Sequence, residues 1–192
     1  MNIIRMIRDL SRIVSLLICI LLIGCAESPQ REPKISQNLV KAAHINVELG
    51  LAYLEKNEMS RAKNTLLQAK REAPKEPVVW YGMGYFLERT GDFRAAEEHY
   101  RFALELSPDV GPAFNNYGTF LCRQGRYQEA LKAFEKATAD RHYLEPAVAY
   151  ANAGFCALKI PNQRLANQYF QRALEKDPKI DVSTHDREWH ER

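Results

Sequence analysis

From Ala43 to Ile180 the apolar and small residues recur with one period, and the polar residues fill the positions between. Glycines fall at Gly50, Gly84, Gly118 and Gly154, spaced 34, 34 and 36 residues apart. Ala62, Ala96, Ala130 and Ala166 repeat that spacing, as do Ala69, Ala103, Ala137 and Ala173. Three residues before each alanine of the second set stands a large apolar side chain: Leu66, Tyr100, Phe134 or Phe170. Prolines close the units at Pro74, Pro108, Pro146 and Pro178. Each unit predicts two antiparallel helices, a pair too short to bury its apolar stripe without a neighbour. Glycine inside a helix costs about 1 kcal/mol relative to alanine, so its recurrence predicts close helix approach rather than a break. The large residues are expected to fill the gaps between one unit and the next.

The predicted boundaries follow from the register. A lead-in turn or short helix over 35–42 precedes unit one at 43–76, followed by units at 77–110, 111–146 and 147–180. Turns between paired helices are expected at Lys56-Asn57-Glu58, Thr90-Gly91-Asp92, Gln124-Gly125-Arg126 and Ile160-Pro161-Asn162. The first three place Asn57, Gly91 and Gly125 where a helix C-cap favours a left-handed residue. Unit three carries two extra residues within Ala139 to Pro146. Residues 181–192 read as a polar tail or a partial capping helix, with Trp189 available to touch the last pair.

Asn46, Leu49-Gly50, Tyr53, Ala62, Leu66, Ala69 and Pro74 resemble one copy of the tetratricopeptide repeat, and four copies stand in register. The resemblance implies an all-α fold, a right-handed superhelical solenoid of four helix-turn-helix repeats. In such arrays the first helices line the concave side. The inward positions here include Val47, Leu51 and Leu54 in unit one, then Tyr81, Tyr85 and Glu88. Asn115, Thr119 and Cys122 follow in unit three, and Ala151, Phe155 and Leu158 in unit four. A contiguous apolar groove marks a partner site. The residues expected to hold a partner are Val47, Leu51, Leu54, Tyr81, Tyr85, Asn115, Thr119 and Phe155. The other reading for unit one is that the lead-in packs over some of them. Some arrays of this family clamp a terminal carboxylate with lysine and asparagine. Here Asn116 and Asn152 lie near equivalent places and the lysines are missing, which favours an amphipathic helix or an extended apolar segment.

Ahead of the array, Met1 to Ser11 is short and positively charged, and Ile13 to Ile23 is an apolar run too short for a confident membrane span. This is the layout of a secretory signal. Its end, Leu22-Ile23-Gly24-Cys25, resembles a bacterial lipobox. That resemblance makes 1–24 a removed signal peptide and Cys25 the lipid attachment site, with diacylglycerol on its sulfur and an acyl chain on its amine. The alternative is an uncleaved anchor helix with an incidental cysteine. Several acyl chains hold a protein to a bilayer far more firmly than one. Ala26-Glu27 after the cysteine favours, by the same resemblance, the periplasmic face of the outer membrane. Residues 25–36, polar with Pro29 and Pro33, read as a flexible tether.

Charge adds little. The formal net charge is +3, and residues 1–24 contribute Arg5, Arg8 and Arg12 against Asp9, leaving +1. No basic run interleaved with aromatics predicts a nucleic-acid partner. Cys122 and Cys156 remain once Cys19 and Cys25 are set aside, each near the end of its unit's first helix. In an oxidising periplasm they are expected to form a disulfide. Two buried free thiols are the other reading. The histidines His44, His99, His142, His185 and His190 are scattered. His185 and His190 with Asp186 read as a solvated tail, so no metal site is expected. No phosphate loop, nucleophile motif or paired carboxylates stand out. The expectation is a binding protein rather than an enzyme, with no cofactor.

One run narrows the family. Gly111-Pro112-Ala113-Phe114-Asn115-Asn116-Tyr117-Gly118-Thr119-Phe120-Leu121-Cys122, with Cys156 34 residues further on and the lipobox, resembles the PilF/PilW family of type IV pilus biogenesis lipoproteins, the pilotins. The resemblance runs from Cys25 to about Pro178. It implies a lipid-anchored protein that helps a pilus secretin subunit reach the outer membrane and form its ring. Members usually carry about six repeats and this sequence has four, so contacts through the last two do not carry over. A general periplasmic scaffold for another envelope assembly, or a non-catalytic regulator of an envelope enzyme, are the competing readings.

Overall fold

The computed structural model describes residues 37–107 and 111–183. Among these the chain forms eight α-helices and no strand. They are α1 (Gln37–Glu55), α2 (Met59–Glu72), α3 (Pro77–Arg89), α4 (Phe93–Leu106), α5 (Gly111–Arg123), α6 (Tyr127–Ala139), α7 (Pro146–Leu158) and α8 (Gln163–Lys176). Each odd-numbered helix pairs with the even one after it, and α1, α3, α5 and α7 lie side by side. Signal peptide, lipobox, Cys25, tether and Trp189 lie outside the described residues, as do His185, Asp186 and His190. No group of His, Cys, Asp and Glu among the described residues is arranged to hold a metal.

Local chemistry sets the helix ends. Pro77 and Pro146 open α3 and α7 where a missing N–H costs nothing. The Asp92 and Asn162 side chains accept from the N–H groups of Ala95 and Leu165 at 3.1 and 3.2 Å, capping α4 and α8. Asn57, Gly91 and Gly125 are left-handed, with φ of 57°, 84° and 76°. Each donates three residues back while the next residue donates five back, for example Gly91 to Glu88 and Asp92 to Leu87. That pair of bonds closes the helix as a Schellman motif. The fourth turn differs because Pro161 has no N–H to give.

The lead-in expected over 35–42 is, from Gln37, the first turns of α1, a helix of 19 residues. Ala43 is buried and Val40 packs against the same cluster.

The periodic glycines have a more specific role than general closeness. A Cβ on Gly50 would lie 2.7 Å from Leu66 Cγ, and on Gly118 2.8 Å from Phe134 Cε1. On Gly84 it would stand 3.2 Å from the Tyr100 ring, and on Gly154 2.5 Å from Phe170 Cε1. Each glycine is therefore the seat of the large residue sixteen positions later in its own unit. The expected filling between units is present as well: Leu66 Cδ2 lies 3.2 Å from where a Cβ on Gly82 of the next unit would sit, and the Tyr100 ring packs 5.0 Å from that of Phe120. The paired alanines Ala62, Ala69, Ala96, Ala103, Ala130, Ala137, Ala166 and Ala173 have no exposed surface.

The two extra residues of unit three form a specific return. Asp140 accepts from the N–H of Gly111 and of His142, both at 2.8 Å. Gly111 then leaves room for Tyr143, whose Cβ and Cγ would lie 2.6 Å from any Cβ placed there.

Candidate concave binding site

The first helices enclose a concavity of about 590 Å³. Tyr81, Tyr85, Glu88 and Arg89 of α3 and Asn115, Asn116, Thr119 and Arg123 of α5 supply most of its lining, with Leu51 from α1 and Asn152 from α7. Five of the eight residues expected on the groove meet here: Leu51, Tyr81, Tyr85, Asn115 and Thr119.

Three do not, and each for a packing reason. Val47 is buried between units, its Cγ1 2.9 Å from where a Cβ on Gly82 would sit. Leu54 is fully buried in the same cluster. Their positions point toward the neighbouring first helix, so a short branched side chain ends in the core. Tyr81, which stands where Val47 does one unit earlier, is long enough to reach the cavity. Phe155 turns onto α8, edge to face with Phe170 at 4.8 Å, and Ile180 and Val182 pack against that cluster. Phe155 and Val47 thus belong to the core, as does Leu54.

The floor of the cavity is a charged network. Arg123 grips both Glu88 oxygens, Nε to Oε1 at 2.5 Å and Nη2 to Oε2 at 2.6 Å. The Tyr100 hydroxyl donates to Oε2 at 3.1 Å. Burial disfavours the Arg123 charge, but the Glu88 hydrogen bonds outweigh it and hold the guanidinium above its usual range. Burial, with the Glu88 charge beside it, drives the Tyr100 hydroxyl well above its ordinary value. Tyr81 is pushed up to about 12 by burial and by the carboxylates of Glu48 and Glu145. Both tyrosines therefore act as neutral hydroxyls.

Tyr85 stands between two cations, with the Arg123 guanidinium 5.7 Å and that of Arg89 6.0 Å from its ring centroid. Beside them the Asn152 side chain donates to Asn115 Oδ1 at 3.0 Å, and Thr119 Oγ1 donates to the Asn115 carbonyl at 2.9 Å. Arg89, Arg123 and Gln124 were missed in the sequence. A usable signal was present: Arg89 follows Tyr85, and Arg123 follows Thr119, by four residues on the same helix face.

Cys122 and Cys156 are joined by a disulfide, with Cα atoms 5.8 Å apart, fastening α5 to α7 beside the cavity.

Comparison with known proteins places this architecture. Residues 109–179 and 47–111 each match the tetratricopeptide repeat family. A Haemophilus influenzae protein of uncharacterised function is 31% identical over 146 residues, 76% of this chain and 79% of its own. The type IV pilus assembly protein PilF of Pseudomonas aeruginosa is 29% identical over 159 residues, 82% of this chain; this chain spans 63% of its length. A solved structure of that PilF superposes with a TM-score of 0.67 at 26% identity, covering 79% of this chain and 69% of that one. The crystal structure of PilW, a type IV pilus biogenesis factor, gives 0.64 at 31% identity over 72% of this chain and 63% of its own. This chain belongs to the tetratricopeptide repeat family and is a member of the PilF/PilW type.

Proposed function

We propose that this protein is an outer-membrane lipoprotein of type IV pilus biogenesis that holds a pilus secretin subunit in its concavity. Lipid on Cys25 supplies membrane affinity, and the array carries the client to the periplasmic face of the outer membrane for ring assembly. The observation that carries the reading is the likeness to PilF and PilW across the four units that build the cavity. A concavity lined by Tyr81, Tyr85, Arg89 and Arg123 carries the aromatic and arginine composition of a protein-binding surface, which supports a protein segment as its occupant. The array works as a binding surface in this reading, without catalysis, metal or cofactor.

The test compares secretin multimers, unheated, in membrane fractions of wild type, a deletion strain and a Cys25→Ser complement. Multimers are expected to vanish on deletion, and the unlipidated protein is expected not to restore them at the outer membrane. Normal multimers in the deletion strain would transfer the array to another envelope assembly.

A further inference from the structure

Helix α1 carries two apolar faces, and the array uses one of them. Ala43, Val47, Gly50 and Leu54 are buried. Along the other face run Ala42, Ile45, Leu49 and Ala52, spaced three, four and three residues apart, which is the spacing of a two-helix coiled-coil seam. Ile45 is 62% exposed and Leu49 42%. None of these four lines the concavity. In the later units, each with a neighbour ahead of it, the same register positions are buried. Val79, Ala113 and Ala149 stand where Ile45 does, and Phe86, Phe120 and Cys156 stand where the exposed Ala52 does. The segment directly ahead of α1, residues 26–36, holds one large apolar side chain, Ile35, too little to cover the stripe.

The flanking charges select what does cover it. Turning a second copy of α1 about a twofold axis, so that the two helices run antiparallel, sets Ile45 against the partner's Leu49 and Leu49 against the partner's Ile45. Ala42 and the partner's Ala52 then meet at either end, small enough for the helices to close. On one flank Lys41 meets the partner's Glu55, and Glu55 meets the partner's Lys41, so opposite charges pair twice. A parallel pairing in the same seam would match Lys41 with Asn46 and Glu48 with Tyr53, and would form no ion pair. Stacking end to end is disfavoured for another reason: Ile180 and Val182 already pack beside α8 at the far end of the array.

We infer that this chain pairs with a second copy of itself through the bare face of α1, as a twofold antiparallel helix pair. The contact is independent of what the concavity holds. A single helix pair makes a small interface, at the weak end of specific association. The one like-charge contact is that of the two Glu48 side chains, which face each other across the axis at its exposed edge.

The test begins with Glu48→Cys in the full-length chain, which removes that contact and places two thiols across the axis. A short bismaleimide applied to membranes is expected to yield a covalent dimer that wild type does not give. Adding Ile45→Asp, at an exposed position, is expected to cut the yield at least roughly tenfold. Sedimentation equilibrium of the detergent-solubilised full-length chain then reads the pairing geometry. Lys41→Glu alone and Glu55→Lys alone are each expected to weaken the dimer roughly tenfold. Combining both substitutions in one chain is expected to restore it, as is mixing the two single variants, because either arrangement reunites opposite charges. Circular dichroism melts of the variants are expected to match wild type. A chain that stays monomeric up to roughly 0.1 mM would overturn the inference and leave the stripe to residues 13–23 or to another protein. So would a cross-link to a different chain, a dimer indifferent to Ile45→Asp, or charge reversals that the double variant does not repair. Loss of pairing with secretin multimers intact, or the reverse, separates this inference from the pilus reading.

Discussion

Arg123 on α5 holds Glu88 on α3 through two parallel bonds of 2.5 and 2.6 Å, and so ties the second unit to the third beneath the cavity. The Glu88 side chain is only 7% exposed and that of Arg123 26%. Removing one partner of such a pair strands a buried charge, which costs about 3–5 kcal/mol. Arg123→Met is expected to lose stability of that order in urea unfolding. Glu88→Leu combined with Arg123→Met is expected to recover much of it, since an apolar pair of similar volume leaves no charge behind. A double variant as unstable as the single one would mean that the bonds, not the stranded charge, set the cost.

Gly118→Ala is expected to destabilise by about 1–3 kcal/mol through overpacking, although alanine is the better helix former by about 1 kcal/mol. The added methyl would sit 2.8 Å from Phe134 Cε1 and 2.9 Å from Cδ1, and that ring has 1% of its surface exposed. Trimming the ring with Phe134→Leu in the same chain is expected to reverse the sign of the Gly118→Ala effect. Melting temperatures by circular dichroism decide it.

How far these pairings were legible varies with the length of the repeat they obey. The period located every helix pair, because Ala62, Leu66, Ala69 and their counterparts mark contacts that recur in each unit. It misplaced Val47, Leu54 and Phe155, because the groove face was assigned by register alone. At Val47 the branched side chain ends against Gly82, and at Phe155 the residues after α8 cover the ring. Arg123 and Asn152 act through bonds between units, and a one-unit pattern does not encode those.

Acid is expected to loosen the return between units three and four. Hydrogen bonds from the backbone N–H groups of Gly111 and His142 hold the Asp140 carboxyl below its usual range. Its contribution is therefore full above the unfolded-state value of about 3.9 and is lost as pH falls through the lower folded value. Glu97 behaves alike: burial opposes its charge, but bonds from Arg126 and Tyr117 prevail and lower it. Carboxyl NMR titration is expected to place Asp140 below an unstructured aspartate, and Asp140→Asn should flatten the acid limb of the stability curve. An ordinary midpoint for Asp140 would remove the argument.

The Cys122–Cys156 bond closes a loop of 34 residues. In the chain-entropy account a loop of that length stabilises by about 3–4 kcal/mol. Cys122→Ala with Cys156→Ala is expected to lower stability by that order, and dithiothreitol to match it in wild type without adding to the double variant. A double variant as stable as untreated wild type would leave the bond no thermodynamic role.

The seating of a large side chain on a glycine sixteen residues earlier is complete inside each unit, whereas the contacts lining the cavity join one unit to another. Folding and recognition are therefore inherited on different scales. Duplicating or grafting a unit transmits that seat intact, while its apolar face still needs a neighbouring unit to cover it. The binding surface is not copied with the unit, because Glu88 needs the arginine of its successor and Asn115 the asparagine of its own. A chimera with its second unit replaced by the fourth would fold as an array and arrive without its concave chemistry.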